Sequence, residues 1–132
     1  MTGSFEYLTA EDLVHLAVLL LGDPPPIRDM GLLGAAAARP QPTLFGDDAY
    51  PDVSTKSAAL LHSIVKNHPL VDGNKRLGWL ATAVFLEVNG VAARSAANDD
   101  VYDLVVGVAA GHDSIDNIAT ALRDVVPGYL SA

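Results

Sequence analysis

The chain has 132 residues, half of them apolar and only 18% charged. That size and composition fit one folded domain spanning residues 1–132 and exclude an intrinsically disordered chain. Eight Lys and Arg against sixteen Asp and Glu leave a formal net charge of −8, so direct nucleic-acid binding, which needs a basic stripe to displace counterions, is not expected. The absence of Cys excludes disulfides, thiolate zinc sites and a Cys nucleophile. Met1–Tyr7 has no basic segment, and the apolar run Leu13–Leu21, interrupted by His15, is far shorter than the ~20 residues that cross a bilayer. A soluble cytoplasmic protein with no membrane partner is expected.

In chain order, apolar residues recur at spacings of three and four, the helical period. Thr9, followed by Glu11 and Asp12, marks the start of a helix that runs to about Leu21 and stops at Gly22. Pro24-Pro25-Pro26 forces an extended connection. Asp29 caps a second helix through Ala35–Ala38, ended by Pro40. Residues 39–52 carry Pro40, Pro42, Gly46 and Pro51 with exposed-looking Leu44, Phe45 and Tyr50, and read as an irregular flap.

Ser54 or Thr55 opens a third helix, which ends near Asn67. A loop at 68–73 leads into a helix from Asn74 to Asn89 whose Leu77, Trp79, Leu80, Val84, Phe85, Leu86 and Val88 occupy nearly its whole circumference. A helix apolar all round belongs at the centre of a domain. Val91–Ala93 reads as extended, a short strand; Asn98 or Asp99 caps a helix closed by Gly111, and Ser114 starts the last helix. The fold class is therefore all-α, a compact bundle of about six helices around a central buried helix.

One stretch carries chemistry: His68-Pro69-Leu70-Val71-Asp72-Gly73-Asn74-Lys75-Arg76. Gly73 stands where the loop becomes a helix and lets another group approach the backbone. The amides of Gly73, Asn74, Lys75 and Arg76 are the unpaired donors of the first turn, and with the helix dipole they favour an anion such as phosphate. Lys75 and Arg76 oppose that dipole at ~0.3–1 kcal/mol each, which points to an anion completing the site. Asp72 supplies oxygens for a hard cation such as Mg²⁺, and His68 is the nearby group able to take a proton near neutral pH. Together they form the inventory of a phosphoryl- or nucleotidyl-transfer site.

A zinc site on His62, His68 and Asp72 is a weaker alternative, because it lacks the spacing that puts two ligands on one helical face. His15 and His62 fall within apolar helix patterns and read as packed or half-buried, and His112 in a Gly-His-Asp turn reads as solvated.

The motif resembles the signature of the Fic/Doc family, His-x-Phe-x-Asp-Gly/Ala-Asn-Lys/Gly-Arg. The neighbouring Ile27-Arg28-Asp29-x-Gly31-Leu32-Leu33, Ala38-Arg39-Pro40-Gln41, Lys66-Asn67-His68 and Phe85-Leu86-x-x-Asn89-Gly90 resemble its Doc (death on curing) toxin branch. The likeness extends from about Leu8 to Val126. It implies a Fic/Doc-like fold in which the motif joins two central helices.

The resemblance also implies ATP-dependent transfer to a protein hydroxyl. Most Fic members transfer AMP; they carry Gly where this chain has Lys75 and a second Arg where it has Trp79. Doc-type toxins carry the Lys, lack that Arg, and are kinases that move the γ-phosphate onto a threonine of translation elongation factor Tu. Lys75 and Trp79 thus favour a toxin kinase over an AMP transferase, with a catalytically silent nucleotide- or partner-binding module as a third reading.

Carried over by position, His68 is the base and Asp72 the Mg²⁺ ligand. Gly73 and Asn74 supply backbone donors, Asn74 also its amide, and Lys75 and Arg76 neutralise developing charge. Lys66 adds a further cation, and the flap positions the target. The family's usual Phe is Leu70 here, expected to stay buried with less contact area. A cognate antitoxin with a disordered C-terminal segment that folds on the toxin as a helix is the expected partner.

Overall fold

A computed structural model describes residues 4–111 and 114–130. The order is α1 (Ala10–Leu21), α2 (Met30–Ala38), β1 (Thr43–Leu44), β2 (Asp47–Asp48), α3 (Val53–Asn67), α4 (Asn74–Val88), α5 (Asn98–Ala110) and α6 (Ile115–Val125), followed by a 3-10 turn at Pro127–Leu130. The fold is all-α as expected, with one two-stranded hairpin inside the flap. His112 lies outside the described residues.

Four helix starts follow from side-chain caps. Thr9 accepts from the Asp12 amide while Asp12 accepts from that of Thr9, a reciprocal box. Asp29 accepts from Leu32 N and Ser114 from Asn117 N. The third start departs from expectation. Asp52, not Ser54 or Thr55, is the cap of α3, because its carboxylate takes both the Thr55 amide and the Ser54 hydroxyl.

Two further expectations are corrected. α5 has Ala97 as a cap without a side-chain bond, and Asn98 is already its first residue. Val91–Ala93 forms no strand: Val91 N turns back to Leu86 O, and the Glu87 carboxylate takes the amides of Ala93 and Arg94. Those two amides hold the Glu87 carboxyl below its ordinary range.

The most enclosed helix is α3, where the sequence reading placed α4. α3 packs against α2, α4, α5 and α6. Its Leu60 and Ile64 join Leu13, Leu33, Leu77 and Phe85 on one side, and its Leu61 and Val65 join Val105, Val108, Ile118 and Leu122 on the other. α4 buries one face only, through Leu77, Gly78, Ala81, Phe85 and Leu86. Gly78 lets it approach α3: a Cβ there would stand 2.8 Å from Val65 Cγ2.

The flap hairpin pairs Thr43 with Asp48 and Leu44 with Asp47. Its tip, Phe45-Gly46, has positive φ at both residues (53° and 85°), as a type I′ hairpin turn requires, and leaves Phe45 97% exposed. The hairpin is tied to the core by Lys56, which is fully buried. Its Nζ lies 3.1 Å from Pro40 O and 3.2 Å from an Asp48 carboxylate oxygen. The same Nζ sits 4.8 and 5.3 Å from the ring centroids of Phe5 and Tyr7, so the buried charge is paired on all the sides these contacts define.

Candidate active site

The loop at residues 68–73 is clamped by the chain that follows the three prolines. Arg28 N and Asp29 N donate to Pro69 O (2.8 and 3.0 Å) and Val71 N donates to Pro26 O (2.8 Å), around a bridge between Ile27 and Leu70. Leu70 is 1% exposed. The Leu that replaces the family's Phe is therefore still a core anchor, as expected.

Arg28, which the sequence reading did not single out as a site residue, does more than run alongside. Its Nε donates to His68 O (2.7 Å) and its Nη2 to Asn67 O (2.8 Å). These are carbonyls at the end of α3 that the helix itself leaves unpaired. His68 sits there as the C-cap in the left-handed region, φ 53° and ψ 61°, a conformation uncommon for a side chain larger than Gly. The imidazole is exposed.

Asn74 fixes the loop from the other end. Its Oδ1 accepts from Leu70 N and its Nδ2 donates to Leu70 O, both at 2.9 Å, and Nδ2 stands 3.3 Å from His68 Nδ1. The side-chain amide expected to face an anion is thus spent inside the loop, and Asn74 keeps only its backbone N–H for a ligand. With Nδ2 as donor, Nδ1 of the ring is the acceptor in this contact. At 3.3 Å the contact is long for a hydrogen bond.

Gly73 caps α4 with φ 88° and offers no side chain to its first turn. A Cβ there would come within 2.7 Å of a Leu21 methyl. Among the described residues the amides of 73–76 have no partner, and Lys75 and Arg76 stand exposed beside them. This is a preformed cradle for anionic oxygens.

A cavity of about 320 Å³ opens over that cradle, lined by His68, Val71, Asp72, Gly73, Asn74, Lys75 and Arg76 with Val65 and Ala109. The structure therefore brings together His68, Asp72, Gly73, Asn74, Lys75 and Arg76. Lys66 is not among the lining residues; its ammonium lies against Gly111 at the C-terminal end of α5. That position suits a cation, because helix C-termini carry partial negative charge.

Of the other histidines, His15 is exposed, not packed as expected, and His62 is half-buried. No group of three or more potential ligands converges among the described residues, so the zinc alternative on His62, His68 and Asp72 has no such cluster to rest on. Burial, then the charges of Arg39 and Lys66, hold the His62 pKa below its ordinary value. The folded chain therefore binds a proton there less readily than the unfolded chain. The stability this group allows is present above the ordinary histidine range and falls as pH drops through it. Thermal unfolding between pH 7.5 and 5 is expected to show a smaller acid-side loss in His62→Gln; an unchanged profile would assign the acid sensitivity elsewhere.

A helical fold with a His-to-Arg loop feeding an anion cradle defines a class, and the comparisons agree. The Fic/DOC family matches residues 7–86, and the chain belongs to that family. The toxin Doc of Mycolicibacterium smegmatis is 48% identical over 120 residues, 89% of this chain and 91% of that protein. The protein kinase doc of Escherichia phage P1 is 28% identical over 120 residues, 89% of this chain and 93% of its own length. The likeness thus lies in the Doc branch.

Proposed function

We propose that this protein is the toxin of a type II toxin–antitoxin module, a protein kinase that transfers the γ-phosphate of ATP to a threonine of translation elongation factor Tu and so arrests translation. The observation that carries the reading is the meeting, on one cavity, of an exposed His68 with the unpartnered amides of 73–76 and the charges of Lys75 and Arg76. The name of the phage relative, a protein kinase, supports the choice of reaction, and the name of the mycobacterial relative supports the toxin role.

In this reading His68 removes the proton of the target hydroxyl as its oxygen bonds to the γ-phosphorus. The bond from that phosphorus to the β–γ bridging oxygen breaks, and ADP leaves with the electron pair. The amides of 73–76, Lys75 and Arg76 hold the equatorial oxygens where negative charge builds. The Asp72 carboxylate, exposed on the rim and without a partner among the described residues, fits Mg²⁺, which takes most of its other ligands from phosphate and water. When bound, that ion offsets charge on the phosphate oxygens. The flap, with Phe45 at its exposed tip, positions the target segment.

The partner is a cognate antitoxin whose disordered C-terminal segment folds on the toxin as a helix, and the site of action is the cytoplasm. No helix among the described residues is long and apolar enough to cross a membrane.

The test is incubation with elongation factor Tu and ATP labelled at either the α- or the γ-phosphate. Label from γ on the target is expected. Label from α makes the protein an AMP transferase, and label from neither makes it a silent binding module. A second prediction concerns Asp72→Asn, which is expected to raise the Mg²⁺ concentration needed for half-maximal transfer about tenfold or more, since Asp72 is the one carboxylate among the described residues that line the cavity. Unchanged Mg²⁺ dependence would remove Asp72 as a metal ligand.

A further inference from the structure

Lys56 stands in the first turn of α3 with its side chain fully buried, and the transfer chemistry proposed above makes no use of it. A buried ammonium is costly, and an apolar side chain of similar volume commonly packs at least as well. Its partners give the charge a purpose. Nζ meets Pro40 O on one leg of the flap at 3.1 Å and the Asp48 carboxylate on the other at 3.2 Å. Behind it lie the rings of Phe5 and Tyr7, and Tyr7 stacks on the buried ring of Phe85 with centroids 6.2 Å apart. The ammonium is thus backed by the core and bonded to the flap.

The flap has little else to hold it. Residues 41–49 are all exposed, so no buried side chain packs the hairpin down. At its root Arg39 and Tyr50 close the two legs on each other, the guanidinium 5.1 Å from the ring centroid. Among the described residues, Asp48 to Lys56 is the one ion pair or side-chain hydrogen bond from the two strands to a helix. α3 carries this anchor in its first turn and His68 at its C-cap, about 18 Å apart along the axis at 1.5 Å per residue. An extended peptide covers that distance in about five residues.

We infer that Lys56 is a positioning residue for the protein acceptor: through Asp48 and Pro40 its ammonium fixes the pose of the flap relative to His68, and the flap in turn fixes the segment bearing the target hydroxyl. The inference deepens the proposed function and rests on its assignment of the flap to the target. One helix then sets the spacing between the element that holds the acceptor and the base that deprotonates it. The anion cradle at 73–76 has no part in this anchor, so donor binding is independent of it.

The carboxylate gives the cleanest test, because the Asp48 side chain is 39% exposed and its neutralisation opens no cavity. Asp48→Asn is expected to raise the KM for elongation factor Tu about tenfold, with the KM for ATP and inhibition by tripolyphosphate unchanged. In the protein alone, chymotrypsin is expected to cut after Phe45, at the exposed tip, several-fold faster, since cleavage tracks local opening. Asp48→Glu restores the charge and should return both readouts toward wild type. Lys56→Met fills the slot with an unbranched apolar chain. Its melting temperature should stay at or above the wild-type value, while the KM for elongation factor Tu rises as in Asp48→Asn. A merely structural lysine would do the opposite on both counts.

Unchanged cleavage and an unchanged KM for elongation factor Tu in both variants, with wild-type transfer intact, would overturn the positioning role and leave the kinase reading standing. Faster cleavage in both, with no transfer by the wild type to any target, would support the anchor and overturn the kinase reading instead. A KM that rises as much for ATP as for elongation factor Tu, or a melting temperature that falls in Lys56→Met with that KM unchanged, would make Lys56 a structural residue and overturn the inference.

Discussion

His68→Ala is expected to abolish phosphate transfer while leaving the fold and the affinity for phosphate nearly intact. The imidazole is exposed and the residue contributes its backbone, not its ring, to the end of α3, so truncation opens no cavity. The anion cradle is built from the amides of 73–76, and Asn74 keeps its two bonds to Leu70 without the ring. General-base catalysis is worth ~10²–10⁴-fold, so γ-label transfer to elongation factor Tu should fall by at least that lower bound. Circular dichroism and tripolyphosphate binding should match the wild type. A variant that keeps more than about a tenth of the rate would remove His68 as the base. The affinity arm matters because it separates loss of a proton acceptor from collapse of the cradle.

The cradle was readable from sequence because its parts are consecutive: nine residues of one motif supply nearly all its groups, and adjacency along the chain guarantees adjacency in space. Helix caps at Thr9, Asp29 and Ser114 were legible for the same local reason. The centre of the fold was not. α3 carries Ser54, Ser57, Ser63 and Lys56, all buried, so counting apolar residues favoured α4. Small polar side chains can be buried when their hydroxyls reach a backbone carbonyl, as Ser57 does to Val53 O at 2.6 Å. Lys56 was invisible because its partners come from two other segments, Phe5 and Tyr7 before α1 and Pro40 and Asp48 in the flap. Lys66 is adjacent to the motif in sequence, yet its ammonium lies against Gly111 at the end of α5 and the residue is not among those lining the cavity.

Arg28 was missed for a related reason, since it reaches carbonyls about forty positions away, and it carries the second large prediction. Arg28→Ala is expected to lower kcat on the order of 10²-fold with little change in the KM for ATP. The guanidinium holds Asn67 O and His68 O at 2.7–2.8 Å, and with them the left-handed turn that aims the imidazole. Without it, the two carbonyls turn to water and the residue can relax toward more populated backbone angles. A displacement of about 1 Å in a reacting group costs on the order of 10²-fold.

The stability cost of Arg28→Ala should be smaller. Bonds to charged groups contribute ~1.5–3 kcal/mol, and Arg28 is exposed, which places the loss toward the lower end. Phosphate affinity should survive because Val71 N–Pro26 O and the Asn74–Leu70 pair hold the cradle independently of the guanidinium. Arg28→Lys, able to satisfy one carbonyl at a time, should recover part of kcat, a rescue that a purely structural role would show in melting temperature instead. If kcat and KM both stay within about twofold of the wild type, the carbonyl clamp does not set the position of His68, and the loop is aimed by Asn74 and the Ile27–Leu70 bridge alone.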